Sequence, residues 1–390
     1  MIKRTLSPKL KSLAAQYPVV TLTGPRQSGK TTLAKSVFKD WGYVSLEEPD
    51  MREFASMDPR GFLDSYPKRV VMDEIQRVPD LFSYIQTHVD NLGEQGVYVL
   101  TGSSNFGLME EISQSLAGRV AILELLPFSF SELEQAGRVP GSIEECMFTG
   151  AYPRIYDMNL EPSQWCSNYV TTYLERDVRQ IKNVTDLSVF QQFLKMCAAR
   201  SGQILNLSSL GNDCGISHNT AKSWLSILQA GYIVYLLRPH FKNFNKRLIK
   251  SPKIYFYDSG LLSYLLGISS PDILKIHSHR GAIFETWVIS ELLKGRMNRG
   301  LKENIYFWRD NVGHEIDCIA EKGDRLLPIE IKSGKTVSTD FFKGLKFYTE
   351  LSQNIAVNPT LIYAGESDQL RKDVNVLAWK SFGKSVPWDI

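Results

Sequence analysis

An α/β architecture in three successive regions is predicted by three features of the 390-residue chain. Up to Leu125, short apolar stretches alternate with helical segments. A helix, a turn, a second helix and two strand-like stretches follow between Leu207 and Asp258. From Gly281 onward the order is helix, strand, strand, strand, helix, strand. These patterns place the regions at residues 1–160, 161–270 and 271–390.

Ser7-Pro8 opens the first helix, with the serine expected as cap and the proline at the first helical position. Leu10, Leu13, Ala14 and Tyr17 then recur at helical spacing. The strands that follow read VVTLTG, YVSLEE, RVVMDE, VYVLTG and VAILEL. Continuous apolar strands separated by helices predict a parallel sheet covered on both faces. PFSFSEL, from Pro127, marks the exit from that region. Ser163 is expected to cap a long amphipathic helix carrying Trp165, Tyr169, Tyr173 and Leu174 on one side. In LSSLGNDCGISHNTAKSWLSILQAGYI, Gly215 lies in the turn, Ser217 caps the second helix and Gly231 stops it. With strands around Val234 and in KIYFYD, this segment resembles a winged helix. The last region runs through AIFETWVISELLK, IYFWR, EIDCIAE, LLPIEIK, DFFKGLKFYTEL and TLIYAG.

The composition, 43% hydrophobic and 22% charged, is that of an ordinary soluble protein. A net charge of +3 is too small to indicate a nucleic-acid partner, so such a case must rest on where the charge sits. Cys146, Cys166, Cys197, Cys214 and Cys318 are scattered, which fits a reducing compartment and argues against a structural zinc. The basic N-terminus lacks the apolar stretch of a signal peptide. No apolar run approaches the roughly 20 residues of a spanning helix. The expectation is a cytoplasmic protein without a membrane partner.

GPRQSGKT, Gly24 to Thr31, fits G-x-x-x-x-G-K-[ST] between a predicted strand and a predicted helix. Gly24 and Gly29 let the backbone curl so that its N–H groups point at phosphate oxygens, and the helix N-terminus adds its positive end. Gly24, Pro25, Arg26, Gln27, Ser28, Gly29, Lys30, Thr31 and Thr32 are thus the expected ATP-binding residues. Lys30 reaches the β- and γ-phosphates and the Thr31 hydroxyl sits on Mg²⁺. RVVMDEI places two acids at the end of an apolar strand, where ligand sites of parallel sheets lie. Asp73 is assigned to the Mg²⁺-bound water and Glu74 to general-base activation of the attacking water.

The strand VYVLTG ends in Ser103, Ser104 and Asn105. A side chain here either orients the water and senses the γ-phosphate, with Ser104 and Asn105 both candidates, or merely makes the turn. Arg119 precedes the next strand. It is either an arginine supplied in trans to a neighbouring subunit's ATP, which requires a homo-oligomer, or a surface arginine capping its helix.

GPRQSGKT, VVMDEIQRVP, LTGSSN, LAGRVAILELLPFSFSE and GAYPRIY together resemble bacterial and archaeal ATPases of the AAA+ superfamily, over nearly the whole chain. The resemblance implies a P-loop NTPase (AAA+-like) domain followed by a winged-helix-like α+β segment and a restriction-endonuclease-like α/β domain. It implies ATP phosphates at Lys30 and Thr31, magnesium and water at Asp73 and Glu74, a sensor within Ser103–Asn105, and Arg119 as finger candidate. Arg154 and Arg176 both remain open as a second sensor arginine.

In the second helix of the helix-turn-helix, Ala221, Trp224, Leu225 and Leu228 form the inward face. His218, Asn219, Lys222 and Ser223 point outward where a recognition helix meets base edges. RPHFKNFNKRLIKSPK adds Arg238, Lys242, Lys246, Arg247, Lys250 and Lys253, interleaved with Phe241 and Phe244, as candidate phosphate contacts. DNA, duplex or branched, is the partner these features suggest. A lid, a subunit contact or a solvated basic face is the other reading.

Strand periodicity puts Glu315 and Asp317 on one face of EIDCIAE, and Glu330 and Lys332 on one face of LLPIEIK. A turn at Lys322 to Asp324 makes a hairpin that brings Asp317 near Glu330 and Lys332. Glu285, with Val288, Ile289 and Leu292 as helical neighbours, is expected to be buried and to need a partner. A metal shared with Asp317 and Glu330 would supply it. Acid, then acid-x-lysine, in this order of elements resembles the PD-(D/E)xK nucleases. That resemblance implies Mg²⁺ at Asp317 and Glu330, a water-positioning Lys332, and Glu285 as the acid of the first helix. A solvated or salt-bridged outer face is the alternative, and a fold can outlast its chemistry. The reading reached is a Mg²⁺-dependent ATPase coupled to a DNA-binding winged helix and a nuclease-like domain. Its rivals are an ATP-gated DNA endonuclease and a nucleotide-dependent protein scaffold.

Overall fold

The computed structural model describes residues 2–103, 112, 114–174, 186–240, 249–352 and 355–385. The chain forms two compact units. The first holds Met1–Phe128 with Ala230–Tyr232 and Met297–Leu301. The second holds Ser129–Gln229, Ile233–Arg296 and Lys302–Ile390.

The first unit is built on a five-stranded parallel sheet of β1 (Val19–Thr23), β2 (Gly42–Ser45), β3 (Val70–Asp73), β4 (Tyr98–Thr101) and β5 (Val120–Glu124). The strand order is β2-β3-β4-β1-β5, so β4 separates the strand before the glycine loop from the acidic strand. The three inner strands are buried along their whole length, as continuous apolar runs require. The edges differ from expectation. In β5 burial alternates and Ile122 is exposed, because an edge strand has a covered neighbour on one side only. Two cores lie on the two faces. Val19, Met72, Tyr98 and Leu100 pack with Phe62, Phe82 and Ile85, while Val20, Leu22, Val71 and Val99 pack with Leu10, Leu33 and Phe38.

The second unit contains the helix-turn-helix, with helices Leu207–Asp213 and His218–Ala230. Gly215 is left-handed in the turn, and Ser217 caps the second helix by accepting from Thr220 N at 3.1 Å. The strands β6 (Val234–Leu237) and β7 (Lys253–Phe256) pair antiparallel. A six-stranded sheet follows from β8 (Ile305–Arg309), β9 (Glu315–Lys322), β10 (Arg325–Lys332), β11 (Thr360–Tyr363), β12 (Gln369–Leu370) and β13 (Asn375–Ala378), ordered β12-β13-β11-β10-β9-β8. Helices Arg280–Met297 and Lys343–Leu351 take the positions the sequence predicts. The two-residue turn between β9 and β10 has Gly323 at φ 61°, the left-handed geometry that tight hairpins need. The two last strands escaped prediction: NVLA is four residues long, and its pairing with β11 is a tertiary fact.

Three local expectations are corrected. Ser7 is the first helical residue and donates to Arg4 O, while Leu6 occupies the cap position without a side-chain bond. Glu161, not Ser163, caps the Pro162–Tyr169 helix, because its carboxylate reaches the Ser163 and Gln164 amides. That helix is also shorter than expected, passing into a π turn at Val170–Leu174. The His218–Ala230 helix ends directly before Gly231, as expected, and Tyr232 adopts the left-handed conformation. Among the described residues no helix is long and apolar enough to cross a membrane.

Candidate nucleotide site and C-terminal acidic cluster

The glycine loop leaves β1 and enters the Lys30–Val37 helix. Gly24 has φ 136°, and a Cβ on it would lie 2.3 Å from the Leu125 carbonyl oxygen, so only glycine fits against the end of β5. Gly29 has φ 90° and Gln27 φ 59°, which together turn the loop into a concave nest of amides. Lys30 folds back onto this loop, its Nζ donating to Pro25 O at 2.7 Å and Gly24 O at 3.1 Å. Burial pushes the ammonium down to about 8, against the opposing pull of Glu74 and Asp73.

Asp73, at the end of β3, receives hydroxyl donors from three elements. Thr31 Oγ1 lies 2.9 and 3.0 Å from its two oxygens, Tyr43 OH lies at 3.0 Å, and Thr101 of β4 donates as well. The hydroxyl and carboxylate assigned to magnesium are therefore adjacent. Their donor set is hard oxygen, and no ion pair neutralises Asp73 among the described residues, so Mg²⁺ fits these two residues. Burial, followed by the charge of Asp73 and its hydrogen bond, raises the Tyr43 phenol to about 12.

Glu74 sits at φ 56°, ψ 42°, a left-handed conformation rare outside glycine that commonly marks functional positions. Its Oε2 accepts from Gln76 Nε2 at 2.6 Å, and the same amide donates to Ser103 Oγ at 3.2 Å. Gln76, Tyr43 and Thr101 were not foreseen. Of the three, only Gln76 carried a signal, two residues beyond Glu74 in the quoted VVMDEIQRVP. Ser103 is buried beside this pair, whereas Ser104 and Asn105 lie outside the described residues.

Arg4 is another unforeseen participant. Its guanidinium donates to Ser28 O at 2.8 Å and Leu126 O at 2.6 Å, fastening the loop to the chain beyond β5. Arg119 forks onto Asp90 of the Leu81–Leu92 helix at 2.5 and 2.8 Å and donates to Ala117 O at 3.0 Å. Both contacts are made within its own chain. Arg154 is exposed on the Pro153–Met158 helix, and Arg176 lies outside the described residues.

In the second unit, Ala221, Trp224, Leu225 and Leu228 are buried, while His218, Asn219 and Lys222 are exposed and Ser223 is half-buried. Arg238 and Lys250 are exposed as well. Phe241, Lys242, Phe244, Lys246 and Arg247 lie outside the described residues. Lys253 is a correction: it is 4% exposed, so it is no phosphate contact on a wing.

The hairpin does bring Asp317, Glu330 and Lys332 together. Asp317 Oδ2 accepts from Ile331 N at 2.8 Å and lies 3.6 Å from Lys332 Nζ, which also sits 2.5 Å from Glu330 Oε1. Among the described residues, Glu330 Oε2 is buried without a hydrogen-bond partner. Burial, reinforced by Asp317, pushes the Glu330 carboxyl up to about 8. Glu285 is half-buried, and its partners differ from those expected: Tyr255 OH donates at 2.5 Å and Lys253 Nζ lies at 3.2 Å. Burial raises the Glu285 carboxyl despite that lysine. Among the described residues no three His, Cys, Asp or Glu side chains form a group that could hold a metal ion. Glu285, Asp317 and Glu330 thus do not fit a shared metal in this arrangement.

Residues 16–134 match a family model described as an AAA domain, and residues 140–272 and 280–382 match two models described as domains of unknown function. An uncharacterized protein of Mycobacterium tuberculosis is 30% identical over 339 residues, covering 86% of this chain and 75% of the relative. An uncharacterized protein of Methanocaldococcus jannaschii is 24% identical, covering 77% of this chain and 71% of the relative. The solved structure of a Walker-type ATPase from Pyrococcus abyssi aligns with a TM-score of 0.47 at 14% identity, over 68% of this chain and 96% of that one. The chain belongs to the family of the uncharacterized mycobacterial protein, and its first unit carries an AAA-type P-loop ATPase domain.

Proposed function

We propose that the first unit hydrolyses ATP to ADP and phosphate with Mg²⁺. The observation that carries this is the Thr31–Asp73 pair beside a nest of loop amides, with Lys30 poised on the loop's own carbonyls. When nucleotide enters, Lys30 exchanges those carbonyls for β- and γ-phosphate oxygens, and the Gly24–Thr32 amides cradle the phosphates. Thr31 and Asp73 would hold Mg²⁺, which neutralises charge on the β- and γ-oxygens when bound. Glu74 accepts a proton from the attacking water as its oxygen bonds to the γ-phosphorus. The bond from that phosphorus to the β–γ bridging oxygen breaks, and ADP leaves with the electron pair. Gln76 orients Glu74, and Ser103 ties that amide to the end of β4. Lys30→Ala should abolish phosphate release from ATP; an unchanged rate would remove this loop from the chemistry.

We further infer that the second unit contacts DNA. The sorting of the His218–Ala230 helix into a buried apolar face and an exposed polar face bearing His218, Asn219 and Lys222 supports this. The division at residues 160 and 270 into ATPase, winged-helix-like and nuclease-like domains belongs to the same proposal, supported by the order of elements. Cleavage is not part of it, because the acids do not fit a shared metal. Fluorescence anisotropy with duplex and branched DNA should show binding that weakens steeply with salt and is reduced by Lys222→Glu. No binding at low salt would leave a nucleotide-dependent protein scaffold as the function.

A further inference from the structure

Arg4 precedes the first helix and is 7% exposed, with its guanidinium 5.0 Å from the Phe128 ring centroid. Two nitrogens of the fork serve different segments. Nη1 donates to Ser28 O at 2.8 Å, while Nη2 donates to Leu126 O at 2.6 Å and reaches Pro127 O at 3.5 Å. The start of the glycine loop leans on the same stretch of chain. Gly24 lies so close to Leu125 O that a Cβ would clash, and Leu125 N donates to Thr23 O at 2.9 Å. Both ends of the loop are thus fixed to the residues that follow β5, the first by glycine packing and the second by Arg4.

The Ser28 end has little else to hold it. The Ser28 hydroxyl is buried without a hydrogen-bond partner among the described residues, and Ser28 N reaches Pro25 O only at 3.4 Å. Lys30 holds the Gly24 and Pro25 carbonyls, nearer the loop's start, and in the proposed reaction exchanges them for phosphate. The carbonyl and N–H of one trans peptide point in opposite directions. Pinning Ser28 O on Arg4 therefore turns Gly29 N–H away from the guanidinium, whose Nη1 would lie 3.8 Å from a Cβ on Gly29. We infer that Arg4 is a positioning residue of the nucleotide site: by holding the Ser28 carbonyl it aims the Gly29 amide at phosphate. This rests on the reading of Gly24–Thr32 as the phosphate loop. Arginine suits the task because its rigid fork spans two carbonyls, whereas lysine offers one point charge on a flexible stem.

Isothermal titration calorimetry of ADP and of inorganic pyrophosphate, both with EDTA present, tests this without hydrolysis or metal. Arg4→Ala should weaken both at least roughly tenfold, the scale of a lost hydrogen bond to a charged group. Guanidinium chloride at low concentration should restore much of that affinity to Arg4→Ala. Sodium chloride at equal concentration should not, and the natural chain should gain nothing from either salt. Arg4→Lys, which keeps charge and stem, should also bind ADP more weakly, and it carries the test if the alanine variant does not fold. Its KM for ATP should rise with kcat nearly unchanged, because an amide held on bound phosphate supports substrate and transition state alike. Natural affinity in Arg4→Lys would overturn the assignment. So would a loss in Arg4→Ala that guanidinium leaves untouched, or a fall in kcat alone, the mark of a smaller folded fraction. Lys30→Ala separates this from the reading beneath it. If Lys30→Ala loses ADP binding while both Arg4 variants keep it, Arg4 alone is wrongly assigned. If Lys30→Ala keeps natural affinity, the phosphate loop itself is, and the role of Arg4 falls with it.

Discussion

At Asp73, hydroxyls from Thr31, Tyr43 and Thr101 surround a carboxylate, and no ammonium or guanidinium reaches ion-pair distance among the described residues. At Glu285 and Glu315, a buried lysine already lies between the carboxylates. Asp73 and Glu285 are both acids at positions that the sequence marks for magnesium. The difference is where the counter-charge comes from. Hydroxyls orient Asp73 without neutralising it, which leaves its charge for an incoming cation. Lys253 neutralises the second cluster from inside the fold, and a buried pair of this kind is costly to break from one side.

The first way to sharpen the contrast is Glu330→Gln. The folded carboxyl titrates at about 8 and the unfolded one near 4.5, so the native state holds a proton that the unfolded state releases between those values. Stability of the natural chain should therefore fall as pH rises through that window and level off above 8. Glutamine lacks this penalty, so the variant's advantage should grow from pH 5 to pH 9, to at most about 4 kcal/mol. The readout is urea unfolding at both pH values, and an advantage independent of pH would show that Glu330 is not held protonated. A smaller effect is expected from Gln76→Ala, which removes the amide on Glu74. Its kcat should drop roughly tenfold, about 1.4 kcal/mol, with KM for ATP little changed. A rise in KM alone would place Gln76 in nucleotide binding instead.

The two sites also differ in how legible they were. The glycine loop was readable because Gly24 and Gly29 are demanded by backbone geometry, and Asp73 and Glu74 by their place at the end of an apolar strand. The parallel sheet followed from apolar runs that only a doubly covered strand tolerates. Tyr43, Thr101 and Arg4 were not readable, since each acts through contacts between segments far apart in sequence. At the C-terminal cluster the hairpin and its three charged residues were legible from period-two alternation and a glycine turn. Lys253 was misread as a wing cation because local sequence shows a charged strand start and nothing of Glu285, which lies 32 residues away. Arg119 shows the same limit: its ion pair with Asp90, on another helix, could not be read from local sequence.

The most direct test of the account is phosphate release at saturating MgATP, compared between Asp73→Asn and Glu330→Gln. Asp73→Asn should lose about two orders of magnitude or more in rate, the scale expected when electrostatic support of phosphoryl transfer is removed. Glu330→Gln should retain the natural rate. A rate unaffected by Asp73→Asn, or one abolished by Glu330→Gln, would contradict the assignment of ATP chemistry to the first unit.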